Sequence, residues 1–414
     1  MPRAAVVCGL GSYLPEAVLS NDMLAAELDT SDAWISSRTG VRQRHIAGDL
    51  GSGDLALRAA SAALASAGLE RVDAVVLATS TGDFCCPATA PRVAARLGLV
   101  GALAFDLSAA CTGFVYGLAS VGSLISAGLA DSALLVGVDT FSHTLDPADR
   151  STRALFGDGA GAVVLRAGDA EEEGALLAFD LGSDGHQFDL LMTPAVSRAE
   201  RSSGQASNYF RMDGKAVFGQ AVTQMSDSVR RVLNRVGWQA SDLHHLVPHQ
   251  ANTRILAAVA DQLDLPVERV VSNIAEVGNT VAASIPLALA HGLRQGILRD
   301  GGNMVLTGFG AGLTWVRSPC AGRRSFRQWT EEGRTMPNDM EDHLLTVLSV
   351  ASGVPKEEIS RDSRMEDLAF DSLVVSELSL KLRKEFGVTG VDDELDLLET
   401  VDELFQLVEK HRAA

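Results

Sequence analysis

The feature that most constrains the fold is an alternation of short β-rich runs with alanine-rich helical stretches, which extends from Ala4 to Val316. The clearest β-rich runs are VDAVVLATS (72–80), DSALLVGVD (131–139), GAGAVVLRA (159–167), HLVPHQ (245–250) and NMVLTGFG (303–310). Apolar runs of this kind are typical of strands buried on both faces between helices. The sequence therefore predicts an α/β architecture whose functional residues lie at strand ends.

The segment 338–414 has a different character, with 19 acidic and 8 basic residues that account for −11 of the net charge of −18. Its apolar stretches are LLTVLSVASGV, LVVSELSLKLRKEFGV and VDELFQLVEKH. In the middle stretch, Val375, Leu378, Leu382 and Phe386 recur at spacings of three and four, which predicts one apolar face of a helix. We expect a small all-α unit of three or four short helices.

Residues 318–337 follow neither pattern and contain two prolines, two glycines and four arginines. This composition predicts a linker between a first domain of residues 1–317 and a second of residues 338–414. Phe326 and Trp329 leave a second interpretation open, in which the segment docks on the first domain as a structured tail. The pair Met336-Pro337 also leaves open that two separate chains were joined here.

Several classes of function are excluded by composition. A net charge of −18 leaves no basic field for a phosphate backbone, so we expect no nucleic-acid partner. No uninterrupted apolar stretch is long enough to span a membrane, so no membrane association is expected. The five cysteines are odd in number and lack metal-ligand spacing, and no secretory signal is recognisable. We therefore expect a cytoplasmic protein without a metal.

Three residues are candidates for chemistry. Cys111 lies in FDLSAACTGFVYGLAS, where an apolar run meets a helix, and the positive helix end would favour a nucleophilic thiolate there. A small buried residue is the alternative. His249 in LVPHQANTRIL and Asn279 in EVGNTVAASIP also lie where a loop enters a helix, and each alone would be read as a local hydrogen-bonding residue.

Together the strings SAACTGF, VPHQAN, GNTVAASIP and GFGAGLTW, in this order, closely resemble the β-ketoacyl-ACP synthase III family of thiolase-fold condensing enzymes. WISSRTGVRQRHIA (34–47) and DRSTRALFGDGAGAVVL (149–165) extend the resemblance over essentially residues 1–317. It implies two similar halves in an α/β/α/β/α core, normally assembled as a homodimer.

The resemblance implies a Cys-His-Asn catalytic site. Cys111 would attack an acyl thioester and hold the acyl group, while its own N–H and that of Ala311 would form the oxyanion hole. His249 and Asn279 would donate hydrogen bonds to the thioester carbonyl of a malonyl group. These bonds would stabilise the enolate that is left when carbon dioxide departs, and the carbanion would then attack the acyl group on Cys111.

The resemblance also implies sites for coenzyme A and for the acyl chain. Trp34 resembles the residue that stacks on adenine, although core packing is its simpler interpretation, and Arg38 and Arg150 resemble its phosphate-contacting and base-contacting partners. Arg254 matches a cation that receives the acidic carrier protein. Cys86 falls where the family often places a phenylalanine from the opposite subunit, and its smaller side chain predicts primers larger than acetyl.

The string MEDLAFDSLVVSEL (365–378) resembles the phosphopantetheine attachment site of acyl carrier proteins. Ser372 would carry 4'-phosphopantetheine, attached by a phosphopantetheinyl transferase, and a helix N-terminus suits the anionic phosphate. A simple helix start is the alternative interpretation of this serine.

We therefore predict an acyltransferase that condenses an acyl-CoA primer with malonyl-ACP, with its own carrier domain or a free one, in a polyketide or specialised fatty-acid pathway. One alternative is a related acyltransferase that moves an acyl group to an alcohol, an amine or a carrier without condensation. The other is a non-catalytic scaffold for carrier loading. Retention of both His249 and Asn279 favours decarboxylation, and Cys111 argues against the scaffold.

Overall fold

The computed structural model describes residues 3–194, 209–298, 302–320, 340–361, 363–368, 372–386, 388, 391–395 and 398–412. The chain divides into two compact units, one of residues 1–212 and 221–324 and one of residues 213–220 and 325–414. The proposed docking of Phe326 and Trp329 lies outside the described residues.

The described strands are β1 (Ala4–Tyr13), β2 (Val18–Ser20), β3 (Gln43–His45), β4 (Ala74–Ala78), β5 (Leu103–Leu107), β6 (Ser132–Asp139), β7 (Gly159–Gly168), β8 (Asp180–Ser183), β9 (Leu191–Met192), β10 (Arg211–Met212), β11 (His245–Pro248), β12 (Met304–Gly310) and β13 (Thr314–Cys320). Each of the five predicted β-rich runs contains a strand, namely β4, β6, β7, β11 and β12. Strand β13 continues to Cys320, past the predicted boundary at residue 317, because it pairs with β12 up to Met304.

The described α-helices of the larger part of the chain are α1 (Asn21–Ala25), α2 (Asp32–Thr39), α3 (Ser52–Ala67), α4 (Ala90–Arg96), α5 (Gly113–Ser126), α6 (Arg150–Arg153), α7 (Gly214–Val236), α8 (Thr253–Gln262), α9 (Ile274–Val277) and α10 (Ser284–Arg294). The helices near the end of the chain are α11 (Met340–Ser352), α12 (Ser372–Phe386), α13 (Asp392–Leu395) and α14 (Val401–Arg412).

Two sheets form the framework of the larger unit. The first has the order β1-β7-β6-β4-β5, with β6, β4 and β5 parallel to one another, and the second has the order β11-β12-β13-β8. Parallel strands place their carboxyl ends at one edge of a sheet, and functional residues are commonly found at that edge. Cys111 follows β5, Asp139 ends β6 and His249 follows β11, as the sequence predicts for functional residues in such a fold.

Apolar burial explains why these elements assemble. One core joins the two sheets through α5 and α10 and includes Phe114, Leu118, Val163, Ile285 and Leu306. A second core packs α3 and α4 against the other face of the first sheet. Burial of full aliphatic side chains contributes roughly 1.5 to 3 kcal/mol each before chain entropy is subtracted. The sheets and their helices are therefore held by contacts between residues far apart in the sequence.

The last four helices have a core of their own, which confirms the predicted small all-α unit. Val375, Leu378 and Leu382 of α12 are buried in it, and Phe386 packs at its margin, so the predicted apolar face is present. Among the described residues, no helix is both long enough and apolar enough to cross a lipid bilayer.

Candidate active site

Cys111 lies in a short 3-10 turn, Ala110–Thr112, that leads directly into α5. Ala110 has φ of 45°, a left-handed conformation that costs of the order of 1 kcal/mol for a residue with a side chain. Thr112 holds this turn, because its N–H and its hydroxyl both donate to Ala109 O, at 3.1 and 2.7 Å. The strained turn places Cys111 at the N-terminal end of the helix, as predicted.

Strand β12 brings Cys111 next to His249. A Cβ atom placed at Gly308 would lie 3.4 Å from His249 Cβ and 3.6 Å from Cys111 O, so both residues flank the same glycine. A Cβ atom at Gly310 would lie 3.0 Å from Cys111 N. Glycine favours this approach of the strand to the cysteine turn, because a Cβ atom at position 310 would press on the backbone N–H of Cys111.

The charge state of Cys111 differs from the prediction. Burial, together with the nearby Asp139 carboxylate, raises the pKa of the Cys111 thiol to about 12, whereas the Cys111 N–H acts in the opposite direction. The expected preference for the thiolate at the helix end is therefore outweighed by desolvation. The Cys111 thiol is therefore expected to be neutral at physiological pH.

This charge state predicts how Cys111 reacts with an alkylating reagent. Because only the thiolate is nucleophilic, the alkylation rate of Cys111 is expected to rise about tenfold for each pH unit between pH 7 and 10. Peptide mass spectrometry after timed exposure to iodoacetamide measures this rate, and the exposed Cys85 in the same sample controls for the reagent. A rate that levels off below pH 9 would mean that the pKa is not raised.

His249 is fixed by both its backbone and its ring. Its N–H donates to Thr307 O of β12 at 2.7 Å, and its Nδ1 lies 3.0 Å from Ser284 Oγ, the first residue of α10. The side chain is buried, and burial lowers the pKa of His249 to about 3. The imidazole is therefore neutral at physiological pH, with one nitrogen available as a hydrogen-bond donor.

Asn279 is held so that its amide group is oriented. Asn279 N donates to Leu155 O at 2.9 Å, and Asn279 O accepts from Gly157 N at 3.0 Å. The side-chain Oδ1 accepts from Val281 N at 3.0 Å, which leaves the Nδ2 group to donate. Val281 has φ of 50°, so this turn, like that of Cys111, is maintained against local strain.

Asp139 is a buried carboxylate that the sequence analysis did not select. Its Oδ1 accepts from Ser80 N at 2.8 Å and from Thr81 Oγ1 at 2.9 Å, while Oδ2 accepts from Ala282 N at 3.0 Å. Burial raises the pKa of Asp139 to about 6 in spite of these bonds. The residue connects the loop after β4 to the turn that carries Asn279. Its position at the end of β6 was the only signal in the sequence.

Ala311 follows β12 in the turn next to Cys111. Thr314 Oγ1 donates to Ala311 O at 3.0 Å and lies 2.8 Å from Thr112 Oγ1, so the two turns are joined by a pair of hydroxyls. This arrangement places the backbone of Ala311 beside the cysteine turn. An oxyanion hole formed by the N–H groups of Cys111 and Ala311 remains a prediction.

A second group of predicted residues comes together around Trp34. The guanidinium groups of Arg38 and Arg150 each lie 4.9 Å from the ring centroid of Trp34, so the indole is in contact with two cations. Arg150 also interacts with the backbone and the carboxylate of Asp29. An aromatic plane with two guanidinium groups suits a planar base that carries phosphates.

Arg254 belongs to the same region of the fold. It lies in the first turn of α8, next to Thr253, whose side chain occupies the space where a Cβ atom of Gly40 would lie, at 2.2 Å. Gly40 is the C-cap of α2, the helix that carries Trp34 and Arg38. The four predicted cofactor-binding and carrier-binding residues therefore come from two helices in contact and the start of α6.

The two remaining predicted site residues lie elsewhere. Cys86 is exposed on the loop between β4 and α4. Ser372 is the first residue of α12, a helix of 15 residues, which agrees with the expected attachment point at a helix start. A helix N-terminus of this length favours a phosphodiester, so the backbone position fits a phosphopantetheine group. Among the described residues, no cluster of histidine, cysteine or carboxylate side chains could hold a metal ion.

Comparison with known proteins shows the family to which the chain belongs. Residues 105–185 match the family model "3-Oxoacyl-[acyl-carrier-protein (ACP)] synthase III", residues 233–318 match the model of its C-terminal part, and residues 342–408 match "Phosphopantetheine attachment site". β-Ketoacyl-[acyl-carrier-protein] synthase III 5 of Streptomyces coelicolor is 51% identical over 319 residues, which cover 76% of this chain and 96% of that protein.

Solved structures show the same similarity. The crystal structure of 3-oxoacyl-(acyl carrier protein) synthase III from Pseudomonas aeruginosa PAO1 matches with a TM-score of 0.75 and 93% identity, and covers 78% of this chain and 100% of that one. The priming β-ketosynthase of the R1128 polyketide pathway matches with a TM-score of 0.73 and 34% identity over 77% of this chain and 96% of that one.

The larger unit is therefore a thiolase-fold condensing enzyme, that is, an acyltransferase. More specifically, the chain belongs to the β-ketoacyl-ACP synthase III family, and it carries a phosphopantetheine-binding carrier domain after the synthase. This result confirms the family, the fold and the fused carrier that the sequence predicts. The roles of the individual site residues stay predictions.

Proposed function

We propose that the chain condenses an acyl group held on Cys111 with a malonyl group carried by its own C-terminal domain on Ser372. The observation that carries this proposal is the pair of neutral donors, His249 and the Asn279 amide, fixed around the turn of Cys111. Acyl transfer alone needs one oxyanion hole, whereas decarboxylation needs a second group of donors at a second carbonyl. A tethered carrier would reach the site at an effective concentration of the order of millimolar.

In the first step, Cys111 Sγ forms a thioester bond with the acyl carbon of an acyl-CoA. The bond between that carbon and the coenzyme A sulfur breaks, and the proton of the Cys111 thiol ends on the departing coenzyme A thiol. The N–H groups of Cys111 and Ala311 stabilise the oxyanion of the tetrahedral intermediate. Because the resting thiol is neutral, acyl transfer includes the loss of this proton.

In the second step, a malonyl thioester binds with its carbonyl oxygen between His249 and Asn279. The bond to the carboxylate breaks and carbon dioxide leaves, while the electron pair becomes an enolate whose oxygen accepts hydrogen bonds from the two side chains. The enolate carbon then attacks the acyl carbon on Cys111, the bond between that carbon and the Cys111 sulfur breaks, and the thiolate takes up a proton from solvent. Each donor to the developing negative charge contributes about 3 kcal/mol.

The direct test of the tethered carrier is Ser372→Ala. We expect this variant to form acyl-Cys111 at the parent rate but to yield no β-ketoacyl product unless a separate malonyl-loaded carrier is supplied. When the parent chain carries malonyl on Ser372, the rate of product formation per chain should be independent of protein concentration, because the carrier is part of the same chain. A neighbouring serine on the same helix, Ser376, provides the control Ser376→Ala, which retains the attachment site. Unchanged product formation by the Ser372→Ala chain alone would contradict the proposal.

The cluster around Trp34 is proposed as the site for the nucleotide of the acyl-CoA primer, and Arg254 as a cation that receives the carrier domain. Stacking of a base on an aromatic side chain contributes about 1 to 3 kcal/mol. We therefore expect Trp34→Ala to raise KM for acyl-CoA about tenfold or more with little change in kcat. An acyl-pantetheine substrate, which lacks the adenine, is the matched control and should show no difference between parent and variant. An equal loss with both substrates would contradict the nucleotide site.

A homodimer is proposed from the exposed edge of the first sheet. β5 is the last strand of that sheet, and its Leu103 and Phe105 are 47% and 37% exposed, while Phe84, on the loop after β4, is 54% exposed. An apolar edge strand of this kind is normally covered by another chain. Cys86 lies two residues after Phe84, so a second copy seated on this edge would also meet the loop that we propose to limit the acyl pocket.

The pathway and the cellular setting are also proposals. The combination of a fused carrier and a small residue at position 86 favours a polyketide or specialised fatty-acid pathway with a primer larger than acetyl. A phosphopantetheinyl transferase is the partner needed to modify Ser372. Cys8, Cys85, Cys86 and Cys111 are free thiols, which supports the proposed cytoplasmic location.

A further inference from the structure

Ser284 contacts two groups of the active site from the first turn of α10. Its hydroxyl oxygen lies 3.0 Å from His249 Nδ1 and 2.6 Å from the backbone N of Gln250. Ser284 is fully buried and His249 is 2% exposed, so water does not compete for these contacts.

The two contacts determine which atom donates. Gln250 N has a hydrogen and no lone pair, so it donates to Ser284 Oγ. The serine hydroxyl has one hydrogen of its own, and of its two hydrogen-bonded neighbours only His249 Nδ1 is able to accept it. The hydroxyl therefore donates to Nδ1, and in a neutral imidazole the proton must then reside on Nε2.

The position of Gln250 N is itself fixed. The Gln250 side chain is buried and uses all its polar atoms, since Nε2 donates to Pro248 O at 2.9 Å and to Val271 O at 3.1 Å. Its Oε1 accepts from Ser272 Oγ at 2.9 Å and from Asn273 N at 3.1 Å. These hydrogen bonds fix the backbone next to His249, so the Gln250 N–H bond keeps its direction toward Ser284 Oγ. The Ser284 hydroxyl hydrogen therefore points to His249 Nδ1.

We propose that Ser284 is a positioning residue that holds His249 in the tautomer with the proton on Nε2, and so makes the imidazole a hydrogen-bond donor to the malonyl thioester carbonyl. The second half of this statement rests on the proposed function, whereas the tautomer does not. Without the hydroxyl, the proton can move to Nδ1, and Nε2 would then present a lone pair to the developing enolate oxygen. A histidine in the wrong tautomer keeps its place but loses its catalytic effect.

The test measures the tautomer directly in the full chain, labelled with ¹⁵N at its histidine rings. The signal of His249 is assigned by its loss in His249→Gln. We expect Nε2 of the parent protein to have the shift and proton coupling of an N–H nitrogen and Nδ1 those of an unprotonated nitrogen. In Ser284→Ala this distinction should weaken or reverse. A parent protein with the proton on Nδ1 would overturn the proposal, whether or not condensation occurs.

The kinetic counterpart compares the half-reactions. Ser284→Ala should slow malonyl decarboxylation at least about tenfold, while acylation of Cys111 by acyl-CoA changes little. Ser284→Thr, which retains the hydroxyl, should recover most of the rate. Ser228→Ala is the matched control, because Ser228 is also fully buried and its hydroxyl has no hydrogen-bond partner among the described residues. If Ser284→Ala does not fold, Ser284→Cys replaces it. A decarboxylation rate and a tautomer both unchanged in the folded variant would overturn the proposal.

Discussion

Replacement of Cys111 by Ala is expected to abolish acyl-enzyme formation and to lower condensation at least about 10³-fold, because no other side chain at this turn can form the thioester. The mass of the peptide that contains Cys111 measures acyl transfer from acyl-CoA. The amount of β-ketoacyl product measures the complete condensation reaction. The fold should be retained, since an alanine fits the space of the half-buried thiol.

Cys8→Ala is the matched control for this variant. Cys8 is also a half-buried free thiol, but it lies on β1 and its Sγ contacts Val164 O at 3.5 Å. Burial raises the pKa of Cys8 as it does that of Cys111, so Cys8→Ala removes a buried thiol with a raised pKa at a different place in the fold. Turnover that survives Cys111→Ala and is lost in Cys8→Ala would refute the assignment of the nucleophile.

The second large effect is expected for Asn279→Asp. The carboxylate has the same shape as the amide but cannot donate a hydrogen bond when ionised, and its charge repels the enolate oxygen. We expect decarboxylation of the malonyl thioester to fall by about 10² to 10³-fold. Acylation of Cys111 should change far less, because it uses the N–H groups of the oxyanion hole. Release of carbon dioxide and the mass of the cysteine peptide measure the two steps separately.

Asn252→Asp is the matched control for this charge change. Asn252 is the N-cap of α8, where its side chain accepts from Ile255 N at 2.8 Å, and aspartate caps a helix equally well. This variant should retain both half-reactions. Malonyl decarboxylation that survives Asn279→Asp while acylation of Cys111 is lost would reverse the roles that we propose for the two groups.

The sequence correctly predicted five strands of the larger unit and the apolar face of α12 in the carrier domain. The runs that became β4, β6, β7, β11 and β12 are continuous and apolar, so burial on both faces leaves few alternative structures. The start of the linker was placed less well. Residues 318–320 have linker-like composition, but they belong to β13, because Cys320 pairs with Met304. Pairing between strands is a tertiary contact that local composition does not contain.

The site was predicted in part, and its missing portion has a physical explanation. Resemblance selected Cys111, His249 and Asn279. The structure places Cys111 and His249 beside Gly308, and the turn that follows Asn279 contacts the turn of Cys111. Asp139 and Ser284 were missed because their contacts are long-range. Asp139 bonds Ala282 across 143 residues, and Ser284 reaches His249 across 35. The helix-end argument for a Cys111 thiolate failed because it omitted desolvation, which is set by neighbours distant in sequence.

The most direct test of the tethered-carrier reaction is peptide mass spectrometry at Cys111 and Ser372. The chain is first loaded with malonyl on the phosphopantetheine arm and then offered acyl-CoA primers of increasing length. We predict a β-ketoacyl mass on the Ser372 peptide, with carbon dioxide released and Cys111 returned to the free thiol, and the primer that reacts fastest identifies the substrate. An acyl group on Cys111 with the malonyl group still intact on Ser372 would contradict the proposed condensation.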